Sequence, residues 1–353
     1  MPEGLDRARI EAFLERFTDL ASGATTIGLL AVADRSGLSR HLGEVGGGTA
    51  EDLAKGAGLE RRYVEEILAG LAAAGVVDFD PGSRRFDLPA EYALFIADES
   101  SPYFMGGFFD MLPAVLAQVD GVADATVNGG GVPFEAFGDR LIGGIDRSNT
   151  PSQTVFLVNR WLPAVPDLVP ALEAGARVAD VGCGSGTAAI LMAEAFPQSQ
   201  VSGFDVSADS LDVARRRAKG LANVEFIERD VTEIPTDPAF RLITSFDVIH
   251  DLTEPLAAMR HIREALSDEG VYLMMEPNAG SNLEDNLDAR GAMLYGISTL
   301  YCMTQSLARG GAGLGSAWGR ERAEQMAADA GFGSFRRLDE ITNRFSAFYL
   351  LTP

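Results

Sequence analysis

Val178-Ala-Asp-Val-Gly-Cys-Gly-Ser-Gly186 decides how this chain is understood. Small and β-branched residues lead up to Asp180, glycines fall at 182, 184 and 186, and a helix-forming segment from Thr187 to Phe196 follows directly. A strand, a glycine turn and a helix N-terminus in that order bring backbone close to a ligand, because glycine carries no Cβ and tolerates positive φ. Alone, the run predicts a nucleotide-binding turn and leaves the nucleotide open.

Downstream of it, strand and helix character alternate. Val201-Ser-Gly-Phe204 predicts a strand ending in Asp205, and Ser207 to Ser210 caps a helix running to about Lys219. Asn223 to Glu228 is the next strand, ending at Asp230; Leu242 to Phe246 follows and leads into Asp247-Val-Ile-His250-Asp251. A helix over Pro255 to Leu266 and a strand over Gly270 to Met275 come next, with Glu276-Pro277 just past the strand. Apolar strands alternating with helices predict a parallel sheet covered on both faces. Ligands bind such sheets at the carboxyl ends of the strands, so Asp180, Asp205 and Asp230 are expected in one crevice. The insertion 278–318 is placed to act as a lid and contains the glycine-rich, flexible-looking run Arg309-Gly-Gly-Ala-Gly-Leu-Gly315. A helix from Gly319 to Ala330 and an antiparallel-looking strand pair, 334–340 and 346–351, close the chain.

Upstream, Ile10, Phe13, Leu14, Phe17 and Leu20 recur at helical spacing over Leu5 to Asp19, an amphipathic helix that needs a partner. A second helix, Ala24 to Asp34, is apolar almost all round, and Gly46-Gly47-Gly48 then breaks the chain. Thr49-Ala-Glu-Asp52 is a capping box for a short helix, and a longer one runs from about Glu60 to Ala74. With two strands around the turn Pro81-Gly82-Ser83, the segment predicts a winged helix. Residues 99–165 are aromatic and glycine-broken, and predict a helical connector whose aromatics include Phe108.

Forty-six per cent hydrophobic residues describe a globular chain, and a net charge of −22 opposes a phosphate backbone. The winged-helix segment Thr49 to Ala97 repeats that sign, with five basic residues against nine acidic ones. Arg61 and Arg62 open its second helix, yet the charge favours a dimerisation domain over a DNA reader. Cys183 and Cys302 are too far apart for metal-ligand spacing, and three histidines, His41, His250 and His261, do not predict a multi-imidazole metal site. The opening residues lack the apolar core of a signal peptide, and Ala24 to Ala33 is too short to span a bilayer, so a cytoplasmic protein without a membrane segment is expected.

Asp205 lies about 20 residues beyond the glycines, a spacing that suits a ribose diol in mononucleotides and dinucleotides alike. The form Asp-Val-Gly-Cys-Gly-Ser-Gly differs from the Gly-x-Gly-x-x-Gly dinucleotide turn, and from about residue 170 onward the chain resembles a class I S-adenosylmethionine-dependent methyltransferase. Over its whole length it is similar to winged-helix-bearing methyltransferases: a bacterial and mycobacterial group often labelled transcriptional regulators and, more distantly, plant-type small-molecule O-methyltransferases. Val248-Ile-His-Asp251, Asn282-Leu-Glu-Asp-Asn286, Cys302-Met-Thr304 and Gly310-Gly-Ala-Gly-Leu-Gly315 carry that likeness.

The resemblance implies an α/β fold: a Rossmann-like, mostly parallel sheet with a C-terminal antiparallel strand, behind a mainly helical winged-helix domain. The domains it implies are 1–98 (winged helix and dimerisation), 99–165 (connector) and 166–353 (methyltransferase, with the lid). It implies methyl transfer from S-adenosylmethionine, giving S-adenosylhomocysteine, to a small, partly apolar or aromatic acceptor. Gly182 and Gly184 would meet the methionine part, Asp205 the ribose, Asp230 and Val231 the adenine, and Phe246 the donor, with Asp180, Cys183 and Val206 completing the cofactor set. His250 would be the general base, Glu276 its orienting acid and Asp251 their neighbour; Phe108, Tyr295, Tyr301 and Met303 would line the acceptor pocket. The plant pattern is broken at Leu252, where that family has tryptophan, and at 310–319, where it has a second glutamate. The competing expectation is a transcriptional regulator that senses a ligand in a methyltransferase-like domain.

Overall fold

The structure, a computed structural model, describes residues 5–353. They divide into two units, one ending at Pro113 and taking in Arg140–Pro151, the other formed by Ala114–Asp139 and Ser152–Pro353. The expected connector 99–165 is thereby shared between the two units. Residues 1–4 of the expected first domain lie outside the described residues.

In the first unit the N-terminal periodicity becomes a single helix, α1 (Arg7–Arg35), opened by Asp6, whose carboxylate accepts from the Ala8 and Arg9 amides at 2.9 and 3.4 Å. The two helices expected over Leu5 to Asp19 and Ala24 to Asp34 are therefore one. A mid-helix glycine costs only about 1 kcal/mol against alanine, too little to stop a helix whose far end is anchored in a core. That core joins Leu30 of α1 to Leu38 and Leu42 of α2 (Leu38–Val45), Leu53 of α3 (Ala50–Ala57), and Val64 and Leu68 of α4 (Arg61–Ala73). The first turns of α1 have no such cover: Ile10, Phe13, Leu14, Phe17 and Leu20 stay between 42 and 67% exposed.

Helices α3 and α4 are the expected helix-turn-helix, with Thr49 Oγ1 accepting from the Asp52 amide at 3.2 Å and donating to its carboxylate at 2.7 Å. Gly46-Gly47-Gly48 does not simply break the chain. Gly47–Thr49 forms β1, which pairs antiparallel with β3 (Arg85–Asp87), itself paired with β2 (Asp78–Asp80) as the wing. A Cβ on Gly47 would stand 2.7 Å from the Phe86 carbonyl, so this pairing requires glycine there. Helix α5 (Ala90–Ile96) follows.

Helices α6 (Gly106–Leu116), α7 (Val119–Asn128), α8 (Asp139–Phe156) and α9 (Leu168–Ala174) precede the sheet of the second unit. Its strands are β4 (Arg177–Val181), β5 (Gln200–Asp205), β6 (Val224–Glu228), β7 (Phe240–Phe246), β8 (Leu266–Pro277), β9 (Ser334–Arg337) and β10 (Ser346–Thr352). Their order is β6-β5-β4-β7-β8-β10-β9; the first five run parallel, β10 runs antiparallel to β8, and β9 antiparallel to β10, as the sequence predicts. One face is covered by α9, α10 (Thr187–Ala195) and α11 (Ala208–Arg217), the other by α12 (Pro255–Ala265) and, after α13 (Ala289–Ile297) and α14 (Met303–Ala308), by α15 (Arg320–Asp329). Strand order reverses between β4 and β7, and the crevice at that point lies outside the carboxyl ends of the parallel strands. Glu276, expected just beyond β8, lies within it and pairs with Ala347. Among the described residues no helix is long and apolar enough to cross a membrane.

Candidate functional site

At the end of β4 all three glycines are left-handed, with φ of 65°, 53° and 82° at Gly182, Gly184 and Gly186. A Cβ on Gly182 would stand 2.6 Å from Val248, and one on Gly186 the same distance from Phe226, so close packing explains both. Gly184 differs, because a Cβ there would meet nothing within 4 Å and its backbone borders open space. Its amide donates to Asp205 Oδ2 at 2.8 Å, and the Ser207 amide donates to Oδ1 at 2.8 Å. A carboxylate offers about four lone-pair positions, so Asp205 keeps one on each oxygen for the two hydroxyls of a ribose. Burial raises its carboxyl above the usual carboxylate range, opposed by the Ser207 and Gly184 amides. These features fit the nucleoside and methionine parts of S-adenosylmethionine.

The other two acids behave differently from the expected shared crevice. Asp180 is buried and accepts from the Thr244 hydroxyl at 2.7 Å, tying β4 to β7; burial pushes it up to about 7. Asp230 is exposed, and its carboxylate turns back to accept from the Thr232 amide at 2.8 Å and hydroxyl at 2.6 Å, capping the turn Val231–Glu233. Val231 is buried, whereas Val206 is 58% exposed at the end of β5. The Cys183 amide bonds the Phe204 carbonyl at 3.0 Å, which closes the glycine turn, and burial drives its thiol well above the usual range. Phe246 packs its ring 5.8 Å from Trp161, which in turn lies 4.8 Å from Phe348.

Beyond β7 the chain turns at Asp247, held at φ 57° with its amide on the Met275 carbonyl at 2.9 Å. The next turn, Ile249–Asp251, presents His250 to Glu276. Glu276, 1% exposed, accepts from three donors: the Ile249 amide at 2.9 Å, His250 Nδ1 at 2.7 Å and Trp318 Nε1 at 3.0 Å. The bond through Nδ1 turns the other ring nitrogen, Nε2, toward Asp251 and Cys302. Asp251 Oδ1 lies 3.3 Å from that Nε2, and its Oδ2 accepts from the Tyr301 hydroxyl at 3.3 Å. Burial pulls the imidazole toward its neutral form, but the Asp251 and Glu276 carboxylates outweigh it and raise its proton affinity well above the usual value. Asp247, whose carboxyl burial pushes to about 7, is part of the same electrostatic group.

The insertion is fastened to this turn. Gln305 Nε2 donates to the Asp251 carbonyl at 2.9 Å, Ser306 to Leu252 at 3.0 Å, Ala312 to Thr253 at 2.9 Å and Gly315 to His250 at 3.2 Å. The run 309–315, flexible in character by its sequence, is thus hydrogen-bonded in place. From its other side the Val132 amide donates to Thr304 Oγ1 at 2.9 Å, and Phe137 meets Tyr301 edge-on at 5.3 Å. Of the expected acceptor-lining residues, Tyr301 is buried beside Asp251, Met303 follows it in α14, and the Tyr295 hydroxyl accepts from Asn286 at 3.3 Å. Phe108 stands on α6 in the first unit. Sequence reasoning does not single out Trp318; the available signal is that it is one of only two tryptophans and ends a glycine-rich stretch.

In the first unit, the arginines at the head of α4 are already paired. Arg61 contacts Glu65 at 2.6 Å and Glu51 at 3.2 Å, Arg62 pairs with Glu66, Arg85 with Asp87 at 3.1 Å, and Arg84 lies over the Phe79 ring.

Residues 172–331 match the family described as methyltransferase domain, and residues 23–98 match the Rv2258c-like winged HTH domain. The trans-aconitate 2-methyltransferase of Afipia carboxidovorans is 32% identical over 120 residues, 34% of this chain and 43% of that protein. The chain thus spans about two fifths of the length of the curated relatives it matches. Two solved structures share the fold end to end. A putative O-methyltransferase from Nostoc punctiforme superposes with a TM-score of 0.70 at 18% identity, covering 99% of this chain and 100% of its own. Human N-acetylserotonin methyltransferase, solved in complex with SAM, gives 0.70 at 19% identity, covering 100% and 99%.

Proposed function

We propose that this chain, a member of the class I S-adenosylmethionine-dependent methyltransferases carrying an Rv2258c-like winged-helix domain, methylates a hydroxyl of a small, partly apolar or aromatic molecule. The observation that carries the reading is the buried Glu276–His250 pair, whose 2.7 Å bond through Nδ1 turns Nε2 away from Glu276, on the same sheet edge as Gly184 and Asp205. The cofactor, when bound, supplies an electrophilic methyl group on sulfur and leaves as S-adenosylhomocysteine. In this reading Asp205 holds the ribose hydroxyls, Gly182, Cys183 and Gly184 border the methionine part, Val206, Asp230 and Val231 border the adenine, and Asp180 and Phe246 support the crevice from within.

His250 Nε2 takes the acceptor's proton as the oxygen attacks, Glu276 fixes the ring through Nδ1, and Asp251 steadies the imidazolium that results. A higher proton affinity strengthens that pull while reducing the share of neutral imidazole at rest. Tyr301, Tyr295 and Met303 are proposed acceptor contacts, their aromatic and thioether surfaces suiting an apolar ring. Holding acceptor and methyl in line supplies several kcal/mol without any covalent step. Turnover with labelled S-adenosylmethionine and a panel of hydroxyl acceptors tests this: the wild type should label an acceptor and His250→Ala should not.

The winged-helix domain is proposed to join two copies of the chain, and the cytoplasm is the proposed place of work. The bare stripe on α1 motivates the first claim: covering a Phe or Leu side chain fully is worth roughly 1.5–3 kcal/mol each, and five stand on one helix. Sedimentation velocity should give a dimer for the wild type and a monomer for Phe13→Glu with Phe17→Glu. A monomeric wild type at micromolar concentration would contradict it.

Operator binding through α4 is disfavoured by the acids that hold Arg61 and Arg62, since affinity for DNA comes from cations free to displace counterions. Gel shifts at moderate salt should show no sequence-specific retention; a specific complex that weakens steeply with salt and is lost in Arg61→Ala would reinstate the regulator.

A further inference from the structure

We infer that His250, Asp251 and Cys302 form a binding site for a soft divalent cation, zinc in the first place, and that zinc bound there blocks methyl transfer. The second half rests on the function proposed above; the first does not.

Among the described residues these three place one histidine nitrogen, one carboxylate oxygen and one thiol sulfur within 4.8 Å of one another. Zinc takes such mixed nitrogen, oxygen and sulfur sets in tetrahedral form, with bonds of about 2.0–2.3 Å. Two ligand atoms on one tetrahedral ion then stand roughly 3.4 Å apart, and His250 Nε2 and Asp251 Oδ1 are 3.3 Å apart. At that distance Asp251 Oδ1 is nonetheless buried without a hydrogen-bond partner. The His250–Asp251 pair and the Cys302 thiol, which is in hydrogen-bonding reach of both, keep the three ligand atoms together.

The surroundings match. His250 Nδ1 bonds the Glu276 carboxylate at 2.7 Å, and a ligating histidine characteristically donates its other ring nitrogen to a carboxylate, which fixes the tautomer. Trp318 and the Ile249 amide hold that carboxylate in turn. Three protein ligands leave a fourth position open to water or acceptor. His250 and Cys302 are buried, while the Asp251 side chain keeps 21% of its surface. Glu276 adds to the negative potential around His250. On binding, zinc displaces the thiol proton of Cys302 and any proton on Nε2 into solvent. The Nε2 lone pair is then committed to the metal and cannot take the acceptor's proton.

Cobalt reports the site directly. The full chain, freed of tags and stripped with chelator, is titrated with Co²⁺ alone. We expect about one ion per chain, a near-ultraviolet sulfur-to-cobalt charge-transfer band, intense visible bands of a tetrahedral ion, and displacement of cobalt by Zn²⁺. Cys302→Ser should remove the charge-transfer band and weaken binding about tenfold or more, Asp251→Asn should weaken binding similarly, and Cys183→Ser should keep the band. A wild type that shows no such band overturns the site, as does a band that survives Cys302→Ser or depends on Cys183. If Cys302→Ser does not fold, the wild-type spectrum and Asp251→Asn decide.

In the transfer assay, stoichiometric Zn²⁺ should abolish labelling and chelator restore it; full activity with zinc bound overturns the block. A cobalt spectrum in a protein that transfers no methyl under any condition would keep the metal site and remove the enzymatic reading. Methyl transfer without any metal spectrum would do the reverse.

Discussion

Asp205→Ala should bind S-adenosylmethionine at least about 100-fold more weakly than the wild type, or lose measurable binding. Two hydroxyl hydrogen bonds to an ionised carboxylate are worth roughly 1.5–3 kcal/mol each, and 2.7 kcal/mol is already about a hundredfold. The same substitution frees the Gly184 and Ser207 amides, which Asp205 holds at 2.8 Å each, so the turn bordering the methionine part loosens as well. Asp205→Asn keeps one acceptor oxygen and should fall between the two. Titration calorimetry measures all three proteins, with circular dichroism to show that each is folded. Undiminished binding by Asp205→Ala would remove the cofactor assignment.

His250→Ala should lower kcat for a hydroxyl acceptor by about 10²–10⁴, the range for loss of a positioned general base, while affinity for S-adenosylmethionine changes little. The separation follows from structure: His250 bonds Glu276 and faces Asp251, neither of which contacts Gly184 or Asp205 in the hydrogen-bond network. Glu276→Gln should be costly in two ways. Its site presents three donors, so an amide nitrogen there faces a second donor, and a buried unpaired polar group costs roughly 1–3 kcal/mol of stability. With Nδ1 no longer held, kcat should also fall. Stopped-time turnover and thermal melts separate the two effects. Transfer that survives His250→Ala unchanged would mean that alignment alone drives the reaction.

Much of this fold is legible in the sequence because its signals are local. Glycines at 182, 184 and 186, apolar strands of five to seven residues and the capping residues Thr49 and Ser207 each act within a few positions of themselves. What escapes local reasoning depends on partners distant in the chain. Gly47 looks like a chain break until Phe86 and Asp87 come to lie beside it. Asp180 and Asp205 end neighbouring strands in the same way, yet one is taken up by Thr244 and the other keeps acceptor capacity. The continuity of α1 across Gly23 is invisible to propensity because the stabilising contacts lie at its far end, in the core around Leu30.

The candidate site divides along the same line. His250 and Glu276 are recognisable by motif, but Trp318, 42 residues beyond Glu276, becomes a partner only because the insertion folds back over the His250 turn. Where the resemblance leads one to expect a second glutamate, this chain places an indole N–H on the first. The exposed stripe on α1 is likewise plain as periodicity.

Transfer of a methyl group is followed by isotope. The full chain is incubated with S-adenosylmethionine labelled in its methyl group and a set of small apolar and aromatic hydroxyl compounds, and the products are weighed by mass spectrometry. A labelled methyl ether should form with a matching amount of S-adenosylhomocysteine, present with the wild type and missing with His250→Ala. Binding of the cofactor with no labelled product from any acceptor, or label carried on nitrogen or carbon alone, would contradict it.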